Sequence, residues 1–438
     1  MSRQTGAAHP PALYVLFFTE MWERFSYYGM RSLLMLYMLQ ARQFTVAHAG
    51  AIYGLYTGLV YLTPLAGGYL ADRSWGQKRA IWVGGLLMAI GHFVLALPYA
   101  AAFYPALALL VIGNGLFKPN ISVIVGQLYA VGDRRREAAF SLFYMGINLG
   151  AVMSPLICGT LGQRVGWHYG FGAAGVGMLI GLAIFARGQR HLQQVGLAPL
   201  RPPTAAQPPT SANAQQETPR RVVLERLLVL LALALFGNVI FWAAFEQAGS
   251  SMTLFAEQAT QLELGHSGWS LPSSWLLAVN PAFIALLTPA FTRLWLRLEA
   301  SDHEPAVPLK FALGLTLVAA GFAVLATAGY VFDQGHLRVS IGWLLVAYFL
   351  HTCGELCVSP VGLSAVTRLA PTAFVSLLMG FWFASMAVAN LLGGALASDY
   401  GQLATADFFA IPALLAAFAA LLLLVLARPL TRMMHGLS

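Results

Sequence analysis

Twelve long apolar stretches alternate with shorter polar ones, at about residues 13–40, 48–71, 79–98, 104–129, 138–161, 169–187, 222–248, 272–292, 309–330, 341–366, 373–397 and 405–427. Each is near or above the ~20 residues that a helix needs to cross a bilayer. The pattern predicts an all-α membrane protein with twelve transmembrane helices. One break stands out. Residues 188–221 contain PLRPPTAAQPPTSANAQQETPRR, rich in Pro, Gln, Thr and Ala and without an apolar face. Such a segment cannot bury enough surface to order itself, so it predicts a flexible linker. Six spans precede it, over 1–187, and six follow, over 222–438. This plan is the layout of two-half transporters, whose substrate site lies near the bilayer midplane. Direct repetition is faint: LTP at 62–64 has an echo in LTP at 287–289.

Composition sharpens the class. Hydrophobic residues make up 58% of the 438 positions and charged residues 10%, against about 25% charged in soluble domains. A net charge of +8 invites a nucleic-acid reading, but its distribution argues against one. With the N-terminus in the cytosol, nineteen of the 25 Lys and Arg fall on the cytosolic side. Only Arg42, Arg164 and Arg338 fall outside, and Arg24, Arg31 and Lys118 lie within spans. That asymmetry is the positive-inside rule, so the excess charge sets topology, with both termini cytosolic. The apolar run Val15–Thr19 meets Glu20 at once and has no small-residue cleavage site, so the first helix is retained. Cys158, Cys353 and Cys357 sit in apolar segments without metal-ligand spacing and read as free thiols.

The informative residues are charges inside the spans. FFTEMWERFSYYGMRSLLMLYM, residues 17–38, carries Glu20, Glu23, Arg24 and Arg31. At about 100° per residue these four, with Tyr27 and Tyr28, fall within an arc of about 140°. A charge at the bilayer centre costs about 2.5–3.5 kcal/mol on insertion scales, so this stripe has to face protein or water. Glu20 and Arg24 are also i, i+4 partners. Span 4 places Asn114, Lys118 and Ser122 on one face, with Pro119 removing a backbone hydrogen bond. Span 5 carries Asn148, and span 7 aligns Asn238, Trp242 and Glu246. Span 8 has Asn280 before Pro281, span 10 aligns His351, Glu355 and Ser359, and span 11 has Trp382.

Four intramembrane acids, Glu20, Glu23, Glu246 and Glu355, thus stand against Arg24, Arg31 and Lys118. One bound proton makes the set neutral, and buried unpaired charge is relieved in that way. A titrating carboxylate in a pathway couples a proton gradient to movement. Purely structural salt bridges explain the set less well, because buried pairs roughly break even against apolar packing.

At these residues the chain resembles the proton-dependent oligopeptide transporters of the major facilitator superfamily. The resemblance runs through both halves: TEMWERFSYYG (19–29), GGYLADRSWG (67–76), GNGLFKPN (113–120), FYMGINLG (143–150), FEQAGSS (245–251) and GELCVSPVGLS (354–364). It implies the major facilitator fold of two six-helix bundles. It also implies a proton-coupled symporter that imports di- and tripeptides by alternating access. Glu20, Glu23, Arg24 and Glu246 match the proton-coupling groups. Arg31 and Lys118 match cations for the peptide's carboxylate, with Arg24 nearby. Glu355, with Asn148 and Asn280, matches the group that takes the amine. Tyr28 and Tyr61 match backbone contacts, and Trp242 and Trp382 match pocket walls. Arg31 with Glu246, and Lys118 with Glu355, match gating pairs. Gly68, Asp72, Arg73 and Gly76 match a loop latch at the cytosolic ends of spans 2 and 3.

The resemblance further implies a monomeric transport unit in the plasma membrane, the inner membrane in a Gram-negative cell. Its partners are peptides, protons and lipid, with no metal, cofactor or nucleic acid. Two departures stand out. Many bacterial members insert two helices between spans 6 and 7, for which the linker is too short and polar. Mammalian relatives carry a histidine where this chain has Gly54, which leaves proton binding to carboxylates. His351, one turn from Glu355, is either a proton shuttle or a packed polar residue. Alternatives to peptide symport stay open: a transporter of another small anion or a drug, or a peptide sensor. A membrane-embedded enzyme lacks support, since HExxH, GxSxG and metal-ligand clusters are all missing from the sequence.

Overall fold

The computed structural model describes residues 8–130, 133, 135–198, 219–263, 268–335, 337–371 and 374–437. The described chain is almost entirely helical. Its helices are α1 (Pro11–Gln40), α2 (Val46–Leu70), α3 (Gln77–Leu95), α4 (Phe103–Gln127), α5 (Arg135–Ser154) and α6 (Trp167–Gly188), followed by α7 (Arg220–Ala232), α8 (Ile240–Phe245) and α9 (Ser251–Ala259). Then come α10 (Val279–Ala300), α11 (Val307–Gly335), α12 (Gly342–Leu369), α13 (Val375–Ser398) and α14 (Thr405–Met433). Extended structure is slight: two-residue parallel strands, Thr260–Gln261 and Val339–Ser340, and one antiparallel bridge between Glu263 and Ser270.

Ten helical stretches among the described residues are long and apolar enough to cross a membrane. They coincide with the third to twelfth apolar runs. The seventh is one stretch, Arg220–Ala259, in which α7, α8 and α9 are joined by a wide turn at Leu233–Val239 and a tight one at Glu246–Gly249. Helices α1 and α2, at 30 and 25 residues, are equally long. Charge in α1 and the Gly, Tyr and Thr content of α2 lower their apolarity. Exposed side chains are themselves large and apolar, as Leu414, Phe418, Leu421 and Val425 on α14 show. Lipid tolerates such a surface and water does not.

Two compact units emerge, one of Met1–Leu33 with Leu62–Pro209 and the other of Leu34–Tyr61 with Thr210–Ser438. The division departs from a single cut at the linker. The stretch Leu34–Tyr61 belongs with the second unit because α2 lies directly on α13. A Cβ on Gly50 would come within 2.7 Å of the Ser398 nitrogen, and one on Gly54 within 2.7 Å of Gly394 Cα. Ser398 Oγ also donates to the Ala47 carbonyl at 3.0 Å.

The first unit is built around α1 as far as Leu33, a stretch buried on nearly every side. Its apolar face nests on α6, where a Cβ on Gly177 would overlap Phe25 and one on Gly181 would crowd Trp22. Gly146 and Gly150 let α5 approach Phe17 and Met21 in the same way. A neighbouring side of α1 bonds to α3 and α4 through Ser26 Oγ to His92 Nε2, 2.6 Å, and Asn114 to Glu23. Encirclement by protein is what lets its charges lie among apolar spans.

Helices α2 and α4 meet where Pro119, lacking an N–H, offers no hydrogen bond to the Gly115 carbonyl. A Cβ on Gly67 would overlap that carbonyl, whereas one on Gly68 would meet only the Pro119 ring, at 3.8 Å. Replacing Gly67 with Val is therefore expected to cost about 1–3 kcal/mol by overpacking, read as a lower thermal midpoint in detergent. Gly68→Ala is expected to leave the midpoint within error.

The segment expected to be a linker starts as packed chain. Leu192 is fully buried, Gly196 N–H donates to Gln127 Oε1 at 2.8 Å, and the Gly196 carbonyl accepts from the Lys78 N–H at 3.0 Å. That carbonyl caps the start of α3 with main chain. At the other end of the segment, Arg220 and Arg221 form the first turn of α7. Residues 199–218 lie outside the described residues.

Candidate functional site

In the first unit Glu20, Glu23 and Arg24 form one buried cluster, each 3% exposed or less. Arg24 reaches Glu23 with two nitrogens, Nε to Oε2 and Nη2 to Oε1, the latter at 2.6 Å. Its Nε also lies 3.2 Å from Glu20 Oε1. One guanidinium thus serves two carboxylates and grips Glu23 with a planar fork that an ammonium does not have. Asn114 Nδ2 donates to Glu23 Oε1 at 3.3 Å. Two buried acceptors, Glu20 Oε2 and Asn114 Oδ1, meet no donor among the described residues. The charge of Lys118, half-buried on α4, is felt at Glu20.

Tyr27 lies under the Arg24 guanidinium, 5.3 Å from ring centroid to Cζ, and packs edge-on against Tyr28 at 5.2 Å. Arg31, two turns beyond Arg24, is half-buried. Asn148 is buried, with its amide N–H donated to the Tyr144 carbonyl of its own helix at 3.0 Å.

The second unit gathers another group. Asn280 Nδ2 donates to Glu355 Oε2 and to Thr352 Oγ1, both at 3.0 Å. The charge of Glu246, placed by the tight turn after α8, is felt at Glu355. Trp242 packs edge-on against Phe241 and Phe245. Trp382 packs against Phe311 and into space left by Gly362. Asn238, in the wide turn one helical turn before Trp242, donates to Ser385 Oγ at 2.8 Å, and Ser385 lies one turn beyond Trp382. Both tryptophans are thereby indexed to each other. Tyr61, at the end of this unit's share of α2, is half-buried.

Spacing alone did not expose Asn114 as a Glu23 ligand, nor Thr352 or Ser385. Asn114 was visible as a polar residue on the Lys118 face. Thr352 and Ser385 carried no signal, since hydroxyls in helices ordinarily bond their own backbone.

His351 is buried between α12 and α11, its ring 4.6 Å from that of Phe322, in space that a side chain at Gly321 would fill. It bonds the Val318 carbonyl, and its Nε2 meets no partner among the described residues. The packed reading fits this better than the shuttle. His351→Asn is expected to lower thermal stability while leaving the pH profile of uptake in place, measured in liposomes. At position 54, contact with α13 leaves no space for the histidine of mammalian relatives.

In the loop after α2, Asp72 Oδ1 accepts from Gln77 Nε2 at 2.7 Å and Arg73 donates to Tyr69 OH at 2.9 Å. Gly76 adopts φ +73°, pressed against the backbone of Leu197 and Ala198. A side chain there meets both strain and overlap.

The sequence matches the POT family (PTR2) over residues 78–207 and 209–415. Peptide transporter YePEPT of Yersinia enterocolitica subsp. palearctica serotype O:3 (strain YE-P4) is 36% identical, the match covering 99% of this chain and 97% of that one. A di-/tripeptide transporter of Lactococcus lactis subsp. cremoris is 33% identical over 99% and 98% of the two chains. Among solved structures, a mutant of the peptide transporter POT in complex with alafosfalin superposes with a TM-score of 0.89, at 36% identity over 98% of this chain and 96% of that one.

Proposed function

This chain belongs to the POT family, whose members are transport proteins and not enzymes, and from that premise we propose that it imports di- and tripeptides together with protons. The observation that carries the proposal is the buried Glu20–Glu23–Arg24 cluster on a helix enclosed by its own unit. Two carboxylates share one guanidinium, and the charge of Lys118 balances the remainder. A peptide carboxylate that engages Lys118 leaves the cluster one positive charge short. A proton makes up the deficit, and on Glu20 Oε2 it turns an orphaned acceptor into a donor. Substrate and proton therefore favour each other's binding. Each is released more readily once the other has gone.

Arg31 and Lys118 then hold the peptide's carboxylate, and Glu355 with Asn280 holds its amine. Trp242 and Trp382 wall the side chains, Tyr28 and Tyr61 contact the peptide backbone, and Asn148 belongs with the amine-holding group. A dipeptide and a tripeptide share charged ends and vary in the middle, which suits fixed groups at the ends and aromatic walls between. The proposal includes α1 and α2 as spans, giving twelve in all, six before and six after the linker, with no further pair. It places both termini in the cytosol of a plasma-membrane protein that acts as a monomer without a cofactor. The test is uptake of labelled di- and tripeptides into liposomes with and without an inward acid gradient. Accumulation only with the gradient supports it. Equal uptake with and without the gradient rejects the coupling, and no uptake of any peptide rejects the substrate.

A further inference from the structure

The hydrogen bonds around Glu355 run in one direction. Thr352, fully buried one turn before Glu355 on α12, gives its hydroxyl proton to the Tyr348 carbonyl at 2.7 Å. Its oxygen is left to act only as an acceptor, and the Asn280 amide N–H of α10 fills it at 3.0 Å. The second N–H of the same nitrogen goes to Glu355 Oε2 at 3.0 Å. Turned the other way, Asn280 would set its carbonyl oxygen against a carboxylate and a spent hydroxyl, three acceptors with no donor among them. The amide is therefore satisfied in this orientation, and the reverse one would cost the Thr352 hydroxyl its bond to Tyr348. With Nδ2 given to Thr352 and Glu355 Oε2, Asn280 Oδ1 and Glu355 Oε1 are the acceptors of this group that these bonds leave open.

We propose that Thr352 is a positioning residue for amine recognition: its hydroxyl locks the Asn280 amide so that a carboxylate oxygen and an amide oxygen together meet the substrate's ammonium. This rests on the reading of Glu355 as the amine-holding group. An ammonium carries three N–H donors, and a lone carboxylate oxygen fixes only one of them. A second fixed acceptor adds direction, so the site separates a free amino terminus from a group that merely fits the space. Valine has the shape of threonine but offers no acceptor. In a Thr352→Val variant one Asn280 N–H is stranded unless the amide swings; that cost frees the amide to rotate, and the rotation takes Oδ1 out of its place beside Glu355.

The experiment compares Ala-Ala with propionyl-Ala, which has the same shape without the amine, as inhibitors of labelled dipeptide counterflow in liposomes. The wild type is expected to prefer Ala-Ala. Thr352→Val is expected to weaken Ala-Ala inhibition by about tenfold and to leave propionyl-Ala inhibition unchanged, which a general loss of structure would not do. Thr352→Ser, which keeps the hydroxyl, restores the preference. Should Thr352→Val fold poorly, Thr352→Ala removes the same oxygen with less bulk and is read in the same way. A valine or alanine variant with the wild-type ratio of the two inhibitors overturns the role of Thr352 alone. A wild type that does not distinguish the two compounds overturns the amine reading of Glu355, and the proposal falls with it.

Discussion

Glu23→Gln is expected to abolish peptide accumulation driven by an inward acid gradient while counterflow between equal pools of dipeptide continues. The argument is one of charge. With both acids present, Glu20, Glu23 and Arg24 carry one negative charge in excess, and Lys118 offsets it. With glutamine at 23, Glu20 and Arg24 balance each other at 3.2 Å, so engaging Lys118 creates no deficit for a proton to fill. The glutamine can still accept from Asn114, and the cluster stays bonded. Each pH unit of gradient is worth about 1.4 kcal/mol per proton, about a tenfold concentration ratio. The wild type is expected to approach that ratio per coupled proton, and the variant to equilibrate at one. Glu20→Gln is expected to behave alike. Arg24→Ala is different in kind. It strands two buried carboxylates, at a cost of about 3–5 kcal/mol, and a fall in folded yield is expected before any effect on coupling can be read. Gradient-driven accumulation by Glu23→Gln would remove the cluster from the coupling mechanism.

Much of this was legible because a bilayer is a demanding solvent. Apolar runs of span length can scarcely be anything but helices there, so Val307–Gly335 and Thr405–Met433 fall where the runs at 309–330 and 405–427 put them. The charged stripe of α1 was visible for the same reason. What could not be read was how α1 is enclosed. Its apolar face, with Trp22 and Phe25, meets glycines of α6 that are far away in sequence and look like ordinary small residues. Nor does composition reveal that Leu192 and Gly196, at the edge of a polar stretch, dock on α3 and α4. One buried leucine and two backbone hydrogen bonds outweigh the segment's average polarity there. The wide helical turn at Leu233–Val239 is equally silent, since any helix-forming sequence can host an extra residue when a tertiary bond such as Asn238 to Ser385 holds it. Patterns along one helix were readable, and partners across helices were not.

Lys118→Ala is expected to weaken dipeptide binding by about 30-fold or more, because truncating one member of a desolvated charge pair costs about 2–5 kcal/mol. This substitution removes two things at once, the proposed partner of the peptide carboxylate and a charge felt at Glu20. Changing the substrate as well separates them. A dipeptide whose carboxyl terminus is amidated has no charge to offer Lys118. It is expected to bind the wild type weakly and the Lys118→Ala variant no worse, so the two deletions are not additive. Affinity is to be read by inhibition of counterflow, which needs no gradient and is blind to the coupling defect. Lys118→Arg keeps the charge but exchanges a compact ammonium for a planar fork, and an intermediate affinity for the free acid is expected. Equal losses for acid and amide in Lys118→Ala would mean that the lysine acts only through the α1 cluster. The peptide carboxylate would then belong to Arg31 alone, and the proposed link between peptide charge and proton would have no residue to carry it.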